Sequence, residues 1–172
     1  MAGSKSSIVA RCKAWPFVDG CVHGSRPCRD VCLLQERKLL MCNELEAIAD
    51  RLPSVDRSKC LLIANELVPL LRMSHAREEE HLFPAFASGA SEGDPSASLR
   101  RLRAEHIEDE CAAQDLTDTL LTIGHGGGVA NPEALGFMLR AFFCSARRHV
   151  AFEREHVLPL IAQQNRTKSQ ET

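Results

Sequence analysis

The chain has 172 residues, with 21 Lys and Arg against 23 Asp and Glu, seven Phe, one Trp and no Tyr. That length suits one domain with a genuine core, and the near balance of charge excludes the broad field that draws nucleic acid or an anionic membrane. Leu and Ala dominate the apolar residues, which favours helix over strand. The opening MAGSKSSIVARCKAW has no apolar signal-peptide core, and no apolar run nears the ~18 residues of a membrane span. A cytoplasmic, all-α protein is expected.

Residues 1–28 form a Cys-rich N-terminal extension. In a reducing compartment the eight cysteines should be thiols, and Cys42, Cys60, Cys111 and Cys144 fall in helical runs where Cys acts as a small hydrophobe. Cys21, His23, Cys28 and Cys32 match no zinc-knuckle spacing. Four helices follow. The first runs from about Arg29 to Arg51, between Pro27 and Pro53. The second starts near Asp56 and passes through HAREEEHLF to the loop SGASEGDPS. The third opens at Ser96 or Ser98 and stops at GHGGG, which lacks the GK[ST] of a phosphate loop and leaves His125 exposed. The fourth has Asn131 as N-cap and Pro132 at its first position, and reaches about Ala162. Pro69 and Pro159 mark kinks or local ends. Long amphipathic helices with modest loops imply an up-down-up-down four-helix bundle over residues 29–163, with a flexible tail at 164–172. No internal repeat is apparent.

On a helical wheel, His75 and Glu79 share the apolar arc of helix two, His106 and Glu110 that of helix three, and His149 and Glu153 that of helix four. Seven His and 15 Glu in 172 positions would supply about 0.6 such His-x-x-x-Glu pairs by chance, against the three present. Three carboxylates facing one interior need compensating charge, and His with carboxylate from facing helices is how bundles hold metal. The donor set suits Fe, Mn or Zn more than Ca or Mg.

The stretches HAREEEHLFP, LRRLRAEHIEDE and RRHVAFEREHVLPL resemble the second, third and fourth helix signatures of hemerythrin-like, HHE cation-binding proteins. LLQERKLLMCNELEAIAD is similar to the first, so the resemblance covers Val31 to Ile161. It implies a non-heme di-iron centre with His75, Glu79, His106, Glu110, His149 and Glu153 as ligands, Glu79 and Glu153 being the bridges. The family has a ligand histidine where this chain has Arg37, which cannot deprotonate to bind metal. The wheel turns Arg37 inward among Leu33, Leu34, Met41, Leu45 and Ile48.

An impaired or asymmetric site is therefore expected, with one or two iron ions, Zn or Mn being possible. Arg37 could pair with Glu79 in place of a second metal, Glu44 could supply an oxygen or engage Arg37, or water or a small anion could fill the vacancy. Oxygen or redox sensing or regulation, with dioxygen or a small anion as ligand and an unidentified protein partner, is favoured over oxygen carriage. The alternative is a metal-free or weakly metal-binding bundle acting as an interaction module. A di-iron oxidase ranks third, and the lack of Tyr excludes a tyrosyl radical. A ferritin-like scheme would use Glu78 with His81 and Glu153 with His156. His156 lies on the inner face, but His81 points about 140° from the helix-two apolar direction. That defeats the scheme and leaves His156 beside the site or at the core edge.

Overall fold

In a computed structural model, residues 26–89 and 94–162 are described. The N-terminal extension as far as residue 25 and the tail from 163 lie outside them, and with them Cys21 and His23. Cys42, Cys60, Cys111 and Cys144 are free thiols, whereas Cys32 is disulfide-bonded, against the expectation of a thiol. Cysteine pairing depends on separations set by the fold, which spacing along the chain does not give.

The described residues form four antiparallel helical rods. The first is α1, Arg26–Ala49. The second is α2, Arg57–Arg77, prolonged by a π turn at Glu78–Leu82 and by α3, Phe83–Gly89. The third is α4, Ser96–Gly124. The fourth is α5, Pro132–Phe152, prolonged by a second π turn at Glu153–Val157 and by helical residues 158–162. Around the bundle α1 packs on α2 and α5, and α4 on the same two helices. No strand occurs among the described residues.

Local chemistry sets the helix starts. Asp56 caps α2 by accepting from the Lys59 amide at 3.1 Å, and Asn131 caps α5 by accepting from the Ala134 amide at 3.0 Å. Ahead of α4, Asp94 accepts from both the amide and the hydroxyl of Ser96. The chain leaves α4 through Gly126 at φ 106°, where a side chain would be strained.

Two apolar clusters sandwich a polar layer. The larger holds Leu45, Ile63, Leu120 and Leu139, and the smaller Val31, Leu82, Phe83, Leu102 and Val157. Between them along every rod come the buried polar residues: Gln35 and Lys38, then Ser74, His75 and Glu78, then His106 and Asp109, then His149 and Glu153.

The π turns govern which residues face that layer. Each opens at a glutamate, and each is followed, six residues after that glutamate, by a proline, Pro84 or Pro159. A proline ring crowds the carbonyl four residues back, and a widened turn relieves that contact. Pro69 lies within continuous α2, so proline permits a π turn without forcing one. The extra residue in each turn rotates everything beyond it by about one α-helical step, ~100°. Accordingly His156, expected on the inner face, is exposed, as is Leu160.

Deleting the exposed Glu80 should therefore close the first π turn to α-helix while Glu78, Leu82 and Phe83 all stay inward, leaving a cooperative thermal transition. Deleting the exposed Asn65 inside α2 should abolish that transition, because every residue beyond it rotates off the core. Circular dichroism melts of the two deletions test the assignment.

Candidate metal centre

Four side-chain atoms converge in the polar layer. Glu78 Oε2, His106 Nε2, His149 Nε2 and Glu153 Oε1 are buried, lack hydrogen-bond partners and belong to residues whose ligating atoms lie within 4.8 Å of one another. His106 Nε2 is 3.1 Å from Glu78 Oε2, and His149 Nε2 is 3.7 Å from Glu78 Oε2 and 3.5 Å from Glu153 Oε1.

The opposite edge of each imidazole explains why these atoms are orphaned. His106 Nδ1 donates to Glu79 at 2.9 Å, His149 Nδ1 to Glu105 at 3.0 Å, and His75 Nδ1 to Glu110 at 3.0 Å. A carboxylate only accepts, so it holds a ring proton on Nδ1 and turns Nε2 to the interior, where Nε2 carries a lone pair whenever the ring is neutral. An imidazole fixed in this way by an outer carboxylate is the arrangement that metal-ligating histidines use. Lone pairs and carboxylate oxygens then face one another across the interior, an arrangement that a cation would satisfy. Ligand spacing around an ion with bonds of roughly 2.0–2.2 Å is of similar size. The residues present fit a metal ion.

The remaining carboxylate oxygens are held by the neighbouring side chains. Lys38 Nζ donates to Glu78 Oε1 at 2.7 Å, the Ser74 hydroxyl donates to the same oxygen at 2.7 Å, and Gln35 donates to Glu153 Oε2 at 2.8 Å. Burial disfavours the Lys38 ammonium, but the Glu78, Glu153 and Asp109 charges outweigh it and raise its pKa. Burial likewise opposes ionised Glu78, yet Lys38 and the two histidines hold its carboxyl well below the usual range. Burial, the His106 ring stacked on it and the Lys38 ammonium push His75 down to about 2. At His149 burial opposes the charged ring, but the Glu153 and Glu78 carboxylates facing Nε2 outweigh it and raise the pKa to about 10. Without metal, Lys38 and a doubly protonated His149 thus balance Glu78 and Glu153.

Of the six ligands implied by resemblance, His106, His149 and Glu153 meet at this point. Glu79 does not: its side chain is 42% exposed and bonds the outer edge of His106, while Glu78, at 0%, faces inward. Glu110 is half-buried and serves His75 Nδ1 in the same way. His75 is buried and stacked on His106, with ring centroids 3.9 Å apart, and its Nε2 is unpartnered, but it lies outside the four-residue cluster.

In α1, Lys38 and Gln35 take the inward place expected of Arg37, which is half-buried. Glu44 is half-buried and pairs with Lys59 rather than reaching the site. His81 contacts Glu80, and the exposed His156 packs its ring on Phe152 at 5.0 Å, so neither serves a ferritin-like scheme.

The cause of the displacement is a wheel direction averaged across a π turn. Within α2 alone, the buried Ile63, Leu67, Leu70, Leu71 and Ser74 centre on Glu78, whereas Leu82 and Phe86 beyond the turn pull the average toward Glu79. In α1, counting the exposed Leu33 as core misdirected the wheel toward Arg37. Against the expectation of no internal repeat, the chain carries a short one. Residues 78–84, EEEHLFP, and 153–159, EREHVLP, are identical at four of seven positions and pair Glu78 with Glu153.

An antiparallel helical bundle with an inward-facing pair of histidines and pair of glutamates is a bundle with a site that could hold a cation. The chain belongs to the hemerythrin HHE cation binding domain family, whose model matches residues 36–161. No curated protein and no solved structure gives a significant match. Among the described residues no helix is long and apolar enough to cross a membrane.

The pKa shifts set the pH dependence of the metal-free protein. His149, raised when folded, contributes stability that is fully present below about 6.5 and lost as pH climbs toward about 10. His75, lowered when folded, acts with the opposite sign, because the unfolded chain binds its proton first as pH falls below 6.5. Unfolding free energy of chelator-treated protein should therefore peak near pH 6.5. His149→Gln should flatten the alkaline side and His75→Gln the acid side; urea titrations across pH measure both.

Proposed function

We propose that the protein binds a single iron ion at Glu78, His106, His149 and Glu153, and acts in oxygen or redox sensing or regulation rather than as an oxygen carrier. The observation that carries this is the Lys38–Glu78 contact at 2.7 Å between two fully buried groups. A fixed ammonium sits on the carboxylate that would otherwise bridge to a second ion, and like charges in a dry interior repel. Ser74 reinforces the reading: it stands four residues before Glu78, as His149 stands four before Glu153, so that half of the centre has a hydroxyl where the other has an imidazole.

Two imidazoles with two carboxylates suit iron, manganese and zinc alike, and the preference for iron rests on resemblance to the di-iron members of the family. Binding a dication requires His149 to release its second proton, so uptake frees protons and strengthens with rising pH. Lys38, a dication and two carboxylates leave one positive charge, which a small anion could neutralise. A carrier built on an ion pair is hard to reconcile with a centre that holds one.

The second reading is a metal-free interaction module. It is favoured by the charge balance that Lys38 and His149 already provide without an ion.

Elemental analysis of protein purified without chelators separates the two. About one iron per chain is expected, none would favour the interaction module, and two would overturn the role given to Lys38. Glu78→Gln should abolish uptake, whereas Glu79→Gln, which loosens only the outer edge of His106, should weaken it roughly 10–100-fold. Lys38→His should raise the stoichiometry toward two, and Arg37→His should leave it at one.

A further inference from the structure

The two inward glutamates are held from outside the centre in different ways. Lys38 and Ser74 bond Glu78 directly, whereas Glu153 Oε2 accepts from the neutral carboxamide of Gln35 at 2.8 Å. Gln35 is fully buried, and its oxygen accepts from Arg154 Nε at 3.1 Å. Arg154 Nη2 donates to Glu36 at 2.6 Å, so one guanidinium spans two consecutive residues of α1. Arg154 and Glu36 are both half-buried at the bundle surface.

A carboxamide has one donating end and one accepting end, and the neighbours of Gln35 decide which end goes where. A guanidinium only donates, and an ionised carboxylate only accepts. The Gln35 oxygen must therefore face Arg154, and its NH2 group must face Glu153. Reversed, oxygen would meet carboxylate oxygen and NH2 would meet guanidinium, two repulsive contacts in a dry interior. Without Arg154 one of those two penalties disappears, and the buried Gln35 oxygen loses its donor.

The two similar heptads give this arginine a counterpart. Glu79 follows the inward Glu78 as Arg154 follows the inward Glu153. Glu79 reaches across to α4 and bonds the outer edge of His106. Arg154 likewise reaches across to α1 and bonds the outer end of Gln35. In each heptad the glutamate enters the centre, and the next residue, turned away from it, orients a side chain on a neighbouring rod.

We propose that Arg154 is a positioning residue for the metal centre: through the Gln35 carboxamide it ties down Glu153 Oε2 and keeps Oε1 turned toward His149. This role rests on the reading of Glu153 as a metal ligand. A plain charge effect would have the opposite sign. Arg154 is a cation beside a cation site, so repulsion alone would make its removal strengthen uptake. Loss of orientation makes the same removal weaken it.

The test titrates manganese(II), a hard ion that prefers oxygen and nitrogen donors to thiolates, into the full metal-free chain and follows the free ion by EPR. Arg154→Gln should weaken binding roughly 10–100-fold, and Gln35→Leu by a similar factor. The double variant should lose no more than Gln35→Leu alone, because Arg154 acts only through Gln35. Arg154→Lys, which restores a donor, should recover part of the loss. Arg100→Gln, which removes a surface arginine bonded to Ser96, should leave affinity unchanged. In NMR spectra of the metal-free wild type, the two Gln35 NH2 protons should resonate well apart, since one is bonded to Glu153. They should draw together in Arg154→Gln, a readout that remains if Gln35→Leu fails to fold. Unchanged or tighter manganese binding by Arg154→Gln, additive losses in the double variant, or unmoved Gln35 protons would each overturn the role given to Arg154 while leaving the metal site standing. No manganese uptake by the wild type would overturn both.

Discussion

The centre of this bundle is organised by one requirement, the compensation of two carboxylates that have no access to water. Glu78 and Glu153 are both at 0% exposure, and a buried unpaired carboxylate costs several kcal/mol. Every neighbour in the polar layer can be understood as part of that compensation. Lys38 and Ser74 hold one oxygen of Glu78, Gln35 holds one of Glu153, and the free oxygens meet His106 and His149. The apolar clusters on either side exclude water from the layer, which makes each of these pairings matter more. Removing Lys38 or His149 singly would therefore strand a charge rather than merely delete a contact.

A second ring of carboxylates acts on the first through the imidazoles. His75 on α2 bonds Glu110 on α4, and His106 on α4 bonds Glu79 just beyond α2. The two antiparallel helices thus exchange partners, each supplying the carboxylate that orients the other's ring. Since His75 and His106 are also stacked at 3.9 Å, the exchange fixes both rings at once. This is why His-x-x-x-Glu recurs along the chain without its two residues serving a single point. In α2 and α4 the spacing of four places histidine and glutamate on the same helix face, but the partner of each lies across the interface. Only on the fourth rod do both members, His149 and Glu153, reach the centre.

That distinction marks the limit of what could be read from the chain itself. The bundle, the caps at Asp56 and Asn131, the exposed His125 and the inward His106, His149 and Glu153 all follow from local rules: capping chemistry, glycine punctuation and a period of 3.6. The inward direction of Glu78 and Lys38 does not follow from a wheel drawn through a whole rod, because it is correct only on one side of a π turn. An extra residue of this kind has no compositional mark of its own. The nearest signal is the pair of similar heptads, each a glutamate followed six residues later by proline, and it becomes informative only once the two are aligned. Partner choice across helices, such as Glu105 with His149, depends on rod spacing and was beyond any periodic argument.

Alignment of the two heptads also exposes how unequal the halves of the centre are. Position for position, Glu78 answers to Glu153, but Ser74 stands where the second half has His149. On the fourth rod the imidazole remains and takes the proton that balances charge; on the second a hydroxyl too weak to bind a cation donates to the glutamate instead. The inward residue of α1 that touches Glu78 is an ammonium, which can neutralise a carboxylate but never coordinate beside it. Both departures fall on the same carboxylate, Glu78, and leave Glu153 with His149 and a neutral Gln35. The asymmetry is therefore not scattered through the layer. It is confined to one side, so that one side keeps the donors a cation needs while the other carries its cation within the chain.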